Sequence, residues 1–304
     1  MPLLASIPSP ESGNLGPFHM YGIMLAIGVL VAVWLAERRW RSRGYPHDGI
    51  YDIAFWVVVW GVIGARLYHV VTDYELFTDD PLRAFAIWRG GLGIWGAVLG
   101  GGIAVVVVTW RRKMDTLAVT DVMAVGIVLA QGIGRWGNWF NQELFGKPST
   151  LPWALEIAPQ HRPLGYAQYA TFQPTFLYES LFCFAVAGAL VLAERRFRLR
   201  KGQTFALYVM LYCFGRFWFE NMRIDPAHHV AGLRINAWVS IGVLLAALVW
   251  FLWLGKHKSY QRRPGDPPCD MSGNPRDDSD GHAVNDAGDG AGERDSPDTT
   301  GAAT

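Results

Sequence analysis

Residues 92–110 read LGIWGAVLGGGIAVVVVTW, nineteen consecutive residues with no charged group. Coiled as a helix, this stretch is apolar on every side. A soluble amphipathic helix would carry a polar stripe instead. About 20 mostly apolar residues cross roughly 30 Å of hydrocarbon. The same reading extends along the chain to seven stretches: Met20–Ala36, Asp52–Val71, Leu92–Trp110, Leu117–Trp136, Thr175–Ala193, Thr204–Phe219 and Arg234–Leu254. The sixth is short and contains Arg216. The expected fold class is an all-α polytopic membrane protein with seven transmembrane helices.

Composition agrees. The chain of 304 residues is 51% apolar and 17% charged, with 14 Trp. A soluble domain carries about 25% charged residues, so an ordinary soluble enzyme is excluded. Three Cys, two in apolar runs and one in a polar tail, imply no disulfide framework. The first 19 residues contain no Lys or Arg, so no cleavable signal peptide is expected.

The net charge of +1 hides a division: residues 264–304 hold ten acidic and two basic residues. Basic residues elsewhere alternate strictly between loops. Loops 37–51, 111–116, 194–203 and the segment after the last span contain sixteen Lys and Arg, against five (Arg83, Arg89, Lys147, Arg162, Arg223) in the alternate loops. The positive-inside rule then puts the N-terminus outside and the C-terminus in the cytoplasm. Residues 137–174, with five prolines, are expected to form a small extracytoplasmic cap. From Pro264 on there is no Leu, Ile, Phe or Trp. The expected organisation is a catalytic transmembrane domain over 1–255 and a disordered acidic cytoplasmic tail over 256–304. Seven glycines between 90 and 102 fit close helix packing or a backbone opening for a lipid headgroup.

Charges inside apolar spans are costly and mark functional sites. They are Arg66, Asp121, Arg135, Glu179, Arg216 and Glu220. Tyr212, Arg216 and Glu220 follow i, i+4, i+8 and share one helix face. Arg135 and Asn138, three residues apart, share another. Both Arg135 and Arg216 fall near the outer ends of their spans. Two guanidinium groups beside Asn, Tyr and Glu form a candidate phosphate clamp, since arginine presents paired donors matched to phosphate oxygens. The alternative is a structural Arg216–Glu220 ion pair. Gly134, Gly137, Asn138, Asn141 and Gly146 make a poor membrane helix, and irregular backbone at that depth lines a cavity. No HExxH, GxSxG or P-loop pattern occurs. No metal or other cofactor and no nucleic-acid partner is implied. The residues alone leave a membrane enzyme or a transporter for a phosphate-bearing lipid.

The string GRWGNWFNQELFG (134–146) resembles the signature of bacterial prolipoprotein diacylglyceryl transferases. FHMYG (18–22), GARL (64–67), GGLGIWGA (90–97), QPTFLYES (173–180) and YCFGRFWFENMRIDP (212–226) resemble further motifs of that family in the same order. The likeness covers roughly residues 15–255. It implies transfer of the diacylglyceryl group of phosphatidylglycerol to the thiol of a lipobox cysteine in a prelipoprotein signal peptide. A thioether forms and glycerol phosphate leaves. The location implied is the bacterial plasma (inner) membrane, with the active site on the extracytoplasmic side.

By this resemblance, Arg135 and Arg216 bind the headgroup phosphate and offset charge on the leaving group. Asn138, Gly146, Tyr212 and Glu220 join them in binding phospholipid, with Arg66 a weaker addition that is alternatively structural. Tyr21 and Glu143 carry over as catalytic residues. Many family members have a histidine where this chain has Trp95. His19 or Glu143 could replace it as base, or guanidinium charge could suffice to lower the pKa of the substrate thiol. His19 is otherwise an interfacial hydrogen-bonding residue, and Glu143 an arginine partner. A lipid transporter or flippase is the competing function. It predicts inverted repeats around interrupted helices, which the sequence lacks.

Overall fold

The computed structural model describes residues 6–47, 49–78, 80–86, 90–225, 229–256 and 259–275. Among them are seven long α-helices: α1 (Met20–Ser42), α2 (Gly49–Thr72), α3 (Ile94–Arg111), α4 (Thr116–Asn141), α5 (Thr175–Arg196), α6 (Gln203–Met222) and α7 (Ile235–Leu254). Each coincides with one of the seven apolar stretches. Six are long and apolar enough to cross a membrane. The exception, α6, carries Gln203, Thr204, Arg216, Glu220 and Asn221. Helix α1 continues six residues beyond its apolar stretch because Arg39 and Arg41 in its last turn complement the helix dipole. Outward faces remain apolar: Phe55, Trp60 and Leu67 of α2, Val98, Leu99 and Val106 of α3, and Val249 and Leu252 of α7 are exposed.

Helix α1 packs along α4, α2 along α3 and α6 along α7, while α5 joins α4 to α6. Small residues permit the closest crossing. A Cβ at Gly126 of α4 would lie 2.7 Å from the carbonyl oxygen of Ala32 on α1. The glycine-rich stretch works likewise: Gly96 and Gly100 of α3 sit against the backbone of Gly64 and Trp60 on α2. Close packing therefore accounts for those two glycines. Asp121, fully buried, accepts from the backbone N–H of Gly202 (2.7 Å) and Phe205 (3.0 Å). It thus caps α6 from a neighbouring helix, satisfying donors the helix leaves open.

The connections 43–47, 112–115 and 197–202 lie at one end of the bundle, which we call the basic end. Here Glu194 of α5 accepts from Arg39, Arg43 and Thr204, at 2.7–3.0 Å. Residues 259–275 run across all three connections. Gly265 N–H donates to Ser42 O (2.8 Å), Cys269 N–H to Gly44 O (2.9 Å), and Gln261 N–H to Leu199 O (3.1 Å). Asp115 N–H donates to Met271 O (3.1 Å). The Tyr260 ring lies under Arg198 and Arg200, and Arg262 donates to Arg43 O at 2.8 Å. Tyr45 stacks on Trp40 at 3.7 Å, and burial pushes its hydroxyl above the ordinary tyrosine range. Cys269 is 1% exposed. The expectation of a disordered tail from residue 256 onward thus fails over 259–275. Backbone hydrogen bonds to the loops replace the apolar area that this segment lacks. Residues 276–304 of the expected tail lie outside the described residues.

At the opposite end, α4 stops at Asn141, where Gln142 takes the left-handed conformation (φ 51°). Its side chain accepts from Ala158 N–H (2.8 Å) and donates to Pro10 O (3.1 Å), tying the N-terminal segment to a small cap. The cap is built on the antiparallel pair Leu155–Glu156 with Thr171–Phe172, and Ile7 bridges to Leu155. Phe145, Leu155, Ile157, Phe172 and Phe176 form its buried core.

Ending the chain at residue 258 removes the strap of backbone bonds across the basic end. The melting temperature of the detergent-solubilised protein should then fall by roughly 5 °C or more. Ending it after Pro275 keeps every bond named above and should leave that temperature unchanged.

Candidate active site

The ends of four helices meet beside the cap. Helix α4 brings Arg135 and α5 brings Glu179. Helix α6 brings Arg216 and Glu220 on its last two turns and Arg223 at its C-cap, and Arg234 caps the start of α7. Their side chains form one network. Glu179 Oε2 lies 2.8 Å from Arg135 and 3.7 Å from Arg216, while its Oε1 accepts from Arg223 at 2.5 Å. Glu220 Oε2 pairs with Arg216 at 2.8 Å, and its Oε1 lies 3.1 Å from Arg234 and accepts from Asn236 at 3.2 Å. Arg234 also reaches Asp225 at 2.6 Å.

Accessibility divides the four arginines. The side chains of Arg135 and Arg216 are 16% and 22% exposed, whereas those of Arg223 and Arg234 are 4% and 7% exposed. The first two can therefore meet a ligand, and the second two brace the carboxylates from behind. The Tyr212 side chain lies beside Arg135. Four guanidinium groups face three carboxylates, an excess of one positive charge. Buried charge is tolerable only when paired in this way. Arg216 makes the ion pair with Glu220 that the sequence offered as the structural alternative, and it also converges with Arg135 on one oxygen of Glu179.

The remaining candidates sit in four separate settings. Asn138 and Asn141 donate to Glu143 Oε1 at 2.9 and 3.2 Å, so the carboxylate is held by amides, and Glu143 itself is exposed. The ring of Tyr21 packs on Gly137, where an added Cβ would come within 2.6 Å of it. His19, exposed, ends the short hairpin Asn14–Leu15 with Phe18–His19 that leads into α1. Gly146 is buried and bridged to Arg223; a Cβ there would lie 2.9 Å from Gln173 Cβ and 3.2 Å from Met222 O. Its bareness lets the chain after α4 close on the end of α6 and so seats Arg223.

Arg66 stands apart. Its guanidinium donates to the carbonyl oxygens of Arg83 (2.5 Å), Ala84 (2.8 Å), Gly90 (2.8 Å) and Gly91 (3.1 Å), and lies over the Phe77 ring. It organises the connection between α2 and α3 and does not join the cluster. Trp95, at the start of α3, is half exposed.

Sequence reading missed Glu179, Arg223, Arg234 and Asp225 as site residues. Glu179 stood out as a charge within a span but received no role. Arg223 follows Arg216 and Glu220 at i+7 and i+3, a helical face extended by one more turn. That spacing was the available signal. Arg234 and Asp225 carried none, because their meeting depends on how α7 returns against α6.

A model of the prolipoprotein diacylglyceryl transferase family matches residues 12–253. The chain is also similar to phosphatidylglycerol–prolipoprotein diacylglyceryl transferases of actinobacterial species. It is 47% identical to that of Streptomyces griseus over 277 residues, covering 88% of this chain and 84% of the relative. It is 49% identical to enzyme 1 of Streptomyces coelicolor, covering 86% of this chain and 76% of the relative. For the Cutibacterium acnes protein the identity is 46%, with 86% and 88% covered.

If Arg66 is structural, Arg66→Leu should accelerate amide hydrogen exchange over residues 80–86, where Arg83 and Ala84 lose their partner. Exchange around Arg135 and Glu179 should stay at the wild-type rate.

Proposed function

The chain belongs to the prolipoprotein diacylglyceryl transferase family, and from that premise we propose how its arginine cluster performs the reaction. The reaction is transfer of the diacylglyceryl group of phosphatidylglycerol to a prolipoprotein. The lipid-transporter alternative is not favoured by this kinship.

One observation carries the assignment of the site: Arg135 and Arg216, from different helices, converge on a single carboxylate oxygen. A phosphate oxygen of the lipid headgroup can be gripped by the same pair. The acceptor is the thiol of the lipobox cysteine. Its sulfur attacks the sp3 glyceryl carbon, the bond from that carbon to the phosphate oxygen breaks, and the electron pair leaves with glycerol phosphate. A thioether links lipid to protein. The two guanidinium groups offset the negative charge that grows on the departing phosphate. Their positive field also favours the thiolate over the thiol. Glu143 and His19 are the titratable groups available at this rim to receive the thiol proton, while Tyr21, Tyr212 and Asn138 shape the headgroup pocket. Gly146 contributes by seating Arg223 and Glu220 by binding Arg216.

Topology follows from charge. The basic end faces the cytoplasm and the arginine cluster the outer leaflet of the bacterial inner membrane, in accord with sixteen basic residues against five. All seven helices span, α6 included, because pairing neutralises its Arg216 and Glu220. Residues 1–255 form the catalytic body.

The test is to incubate the purified membrane protein with phosphatidylglycerol and a lipobox peptide, and to detect thioether-linked diacylglycerol by mass spectrometry. Arg135→Ala should lower turnover by about 10²–10³-fold, the usual cost of losing one donor to a developing oxyanion. Turnover close to wild type would overturn the clamp.

A further inference from the structure

Within the reaction proposed above, Glu179 presents a puzzle. It places a carboxylate between the two guanidinium groups that must hold a phosphate. Its Oε2 occupies the point shared by Arg135 and Arg216, at 2.8 and 3.7 Å. The Glu179 side chain is 5% exposed and its other oxygen is anchored by Arg223 at 2.5 Å. An arriving headgroup therefore has to share the arginines with Glu179 rather than evict it. Arg216 retains an unused donor, since its Nη1 is buried without a hydrogen-bond partner.

Charge counting explains why such a carboxylate is retained. Arg135, Arg216, Arg223 and Arg234 carry four positive charges, and Glu179, Glu220 and Asp225 carry three negative ones. A phosphodiester brings one negative charge and makes the sum zero. A phosphomonoester carries about −1.5 to −2 at neutral pH and leaves the site negative. In a buried site with little water, that difference is felt strongly. Substrate and departing product differ in this respect: the headgroup enters as a diester monoanion and leaves as a monoester approaching a dianion.

We propose that Glu179 is a positioning residue that sets the charge count of the cluster, so that a phosphodiester monoanion is held and the phosphomonoester product is expelled. Glu179 touches neither sulfur nor carbon. It acts by orienting Arg135 and Arg216 and by withholding one unit of positive charge from the product.

Glu179→Gln keeps the shape and removes one charge. In the full-length protein in nanodiscs, glycerol 1-phosphate binding measured by calorimetry should tighten at least tenfold in this variant. Its inhibition of transfer to the lipobox peptide should strengthen equally, and kcat should fall together with KM for phosphatidylglycerol as product release slows. Glu179→Asp, which restores the charge, should return product affinity toward wild type. A purely structural glutamate predicts the opposite pattern: weaker glycerol phosphate binding and a raised KM. Should Glu179→Gln fail to fold, Asp225→Asn makes the same one-charge change at the rim and should tighten binding in the same direction. Unchanged or weakened binding in the folded variants would overturn the charge argument. The calorimetric arm needs no turnover, so it reads independently of whether the wild type forms thioether product, the result on which the function itself depends.

Discussion

The fold is organised by a small set of ion pairs buried where four helices end. Glu179 and Glu220 each gather at least two arginines from other turns or other helices. Removing either partner would strand a charge in a setting with almost no water, which costs several kcal/mol. Helices α4, α5, α6 and α7 are therefore locked in rotation and in depth relative to one another. The apolar faces alone could not do this, since lipid solvates leucine as well as another helix does. Specificity of packing is carried by a few polar contacts and by glycines that permit close approach.

A second consequence concerns reactivity. The cluster has an excess of one positive charge, and its two rear arginines are buried against the carboxylates. Only the partly accessible pair is available to an anion. Nearby on α4 and the turn after it, the carboxylate of Glu143 is held by the amides of Asn138 and Asn141, and the ring of Tyr21 packs on Gly137.

Much of this was legible in the sequence, for specific reasons. The spans are long runs in which the absence of charge is itself the signal, and all seven helices lie within or just beyond them. Arg135 and Arg216 stood out because charge inside such a run demands explanation. Arg223 did not, because just outside a span an arginine reads as one more topological marker. Arg66 illustrates the converse: an intramembrane arginine that suggests a ligand but serves four backbone carbonyls. Periodicity cannot separate these cases, since the difference lies in what the connecting loop does. The segment 259–275 was misread because it lacks large aliphatic side chains. Its attachment is made of backbone hydrogen bonds and stacked Tyr260, which hydropathy does not register.

That segment has an implication for biogenesis. It bonds to the turns after α1, α3 and α5, yet it is translated after all seven helices. The turns after α1, α3 and α5 therefore stay uncovered until this late segment has been made and fastens them. Chains interrupted before that point would carry all seven helices and the whole arginine cluster, but would leave those turns unlatched.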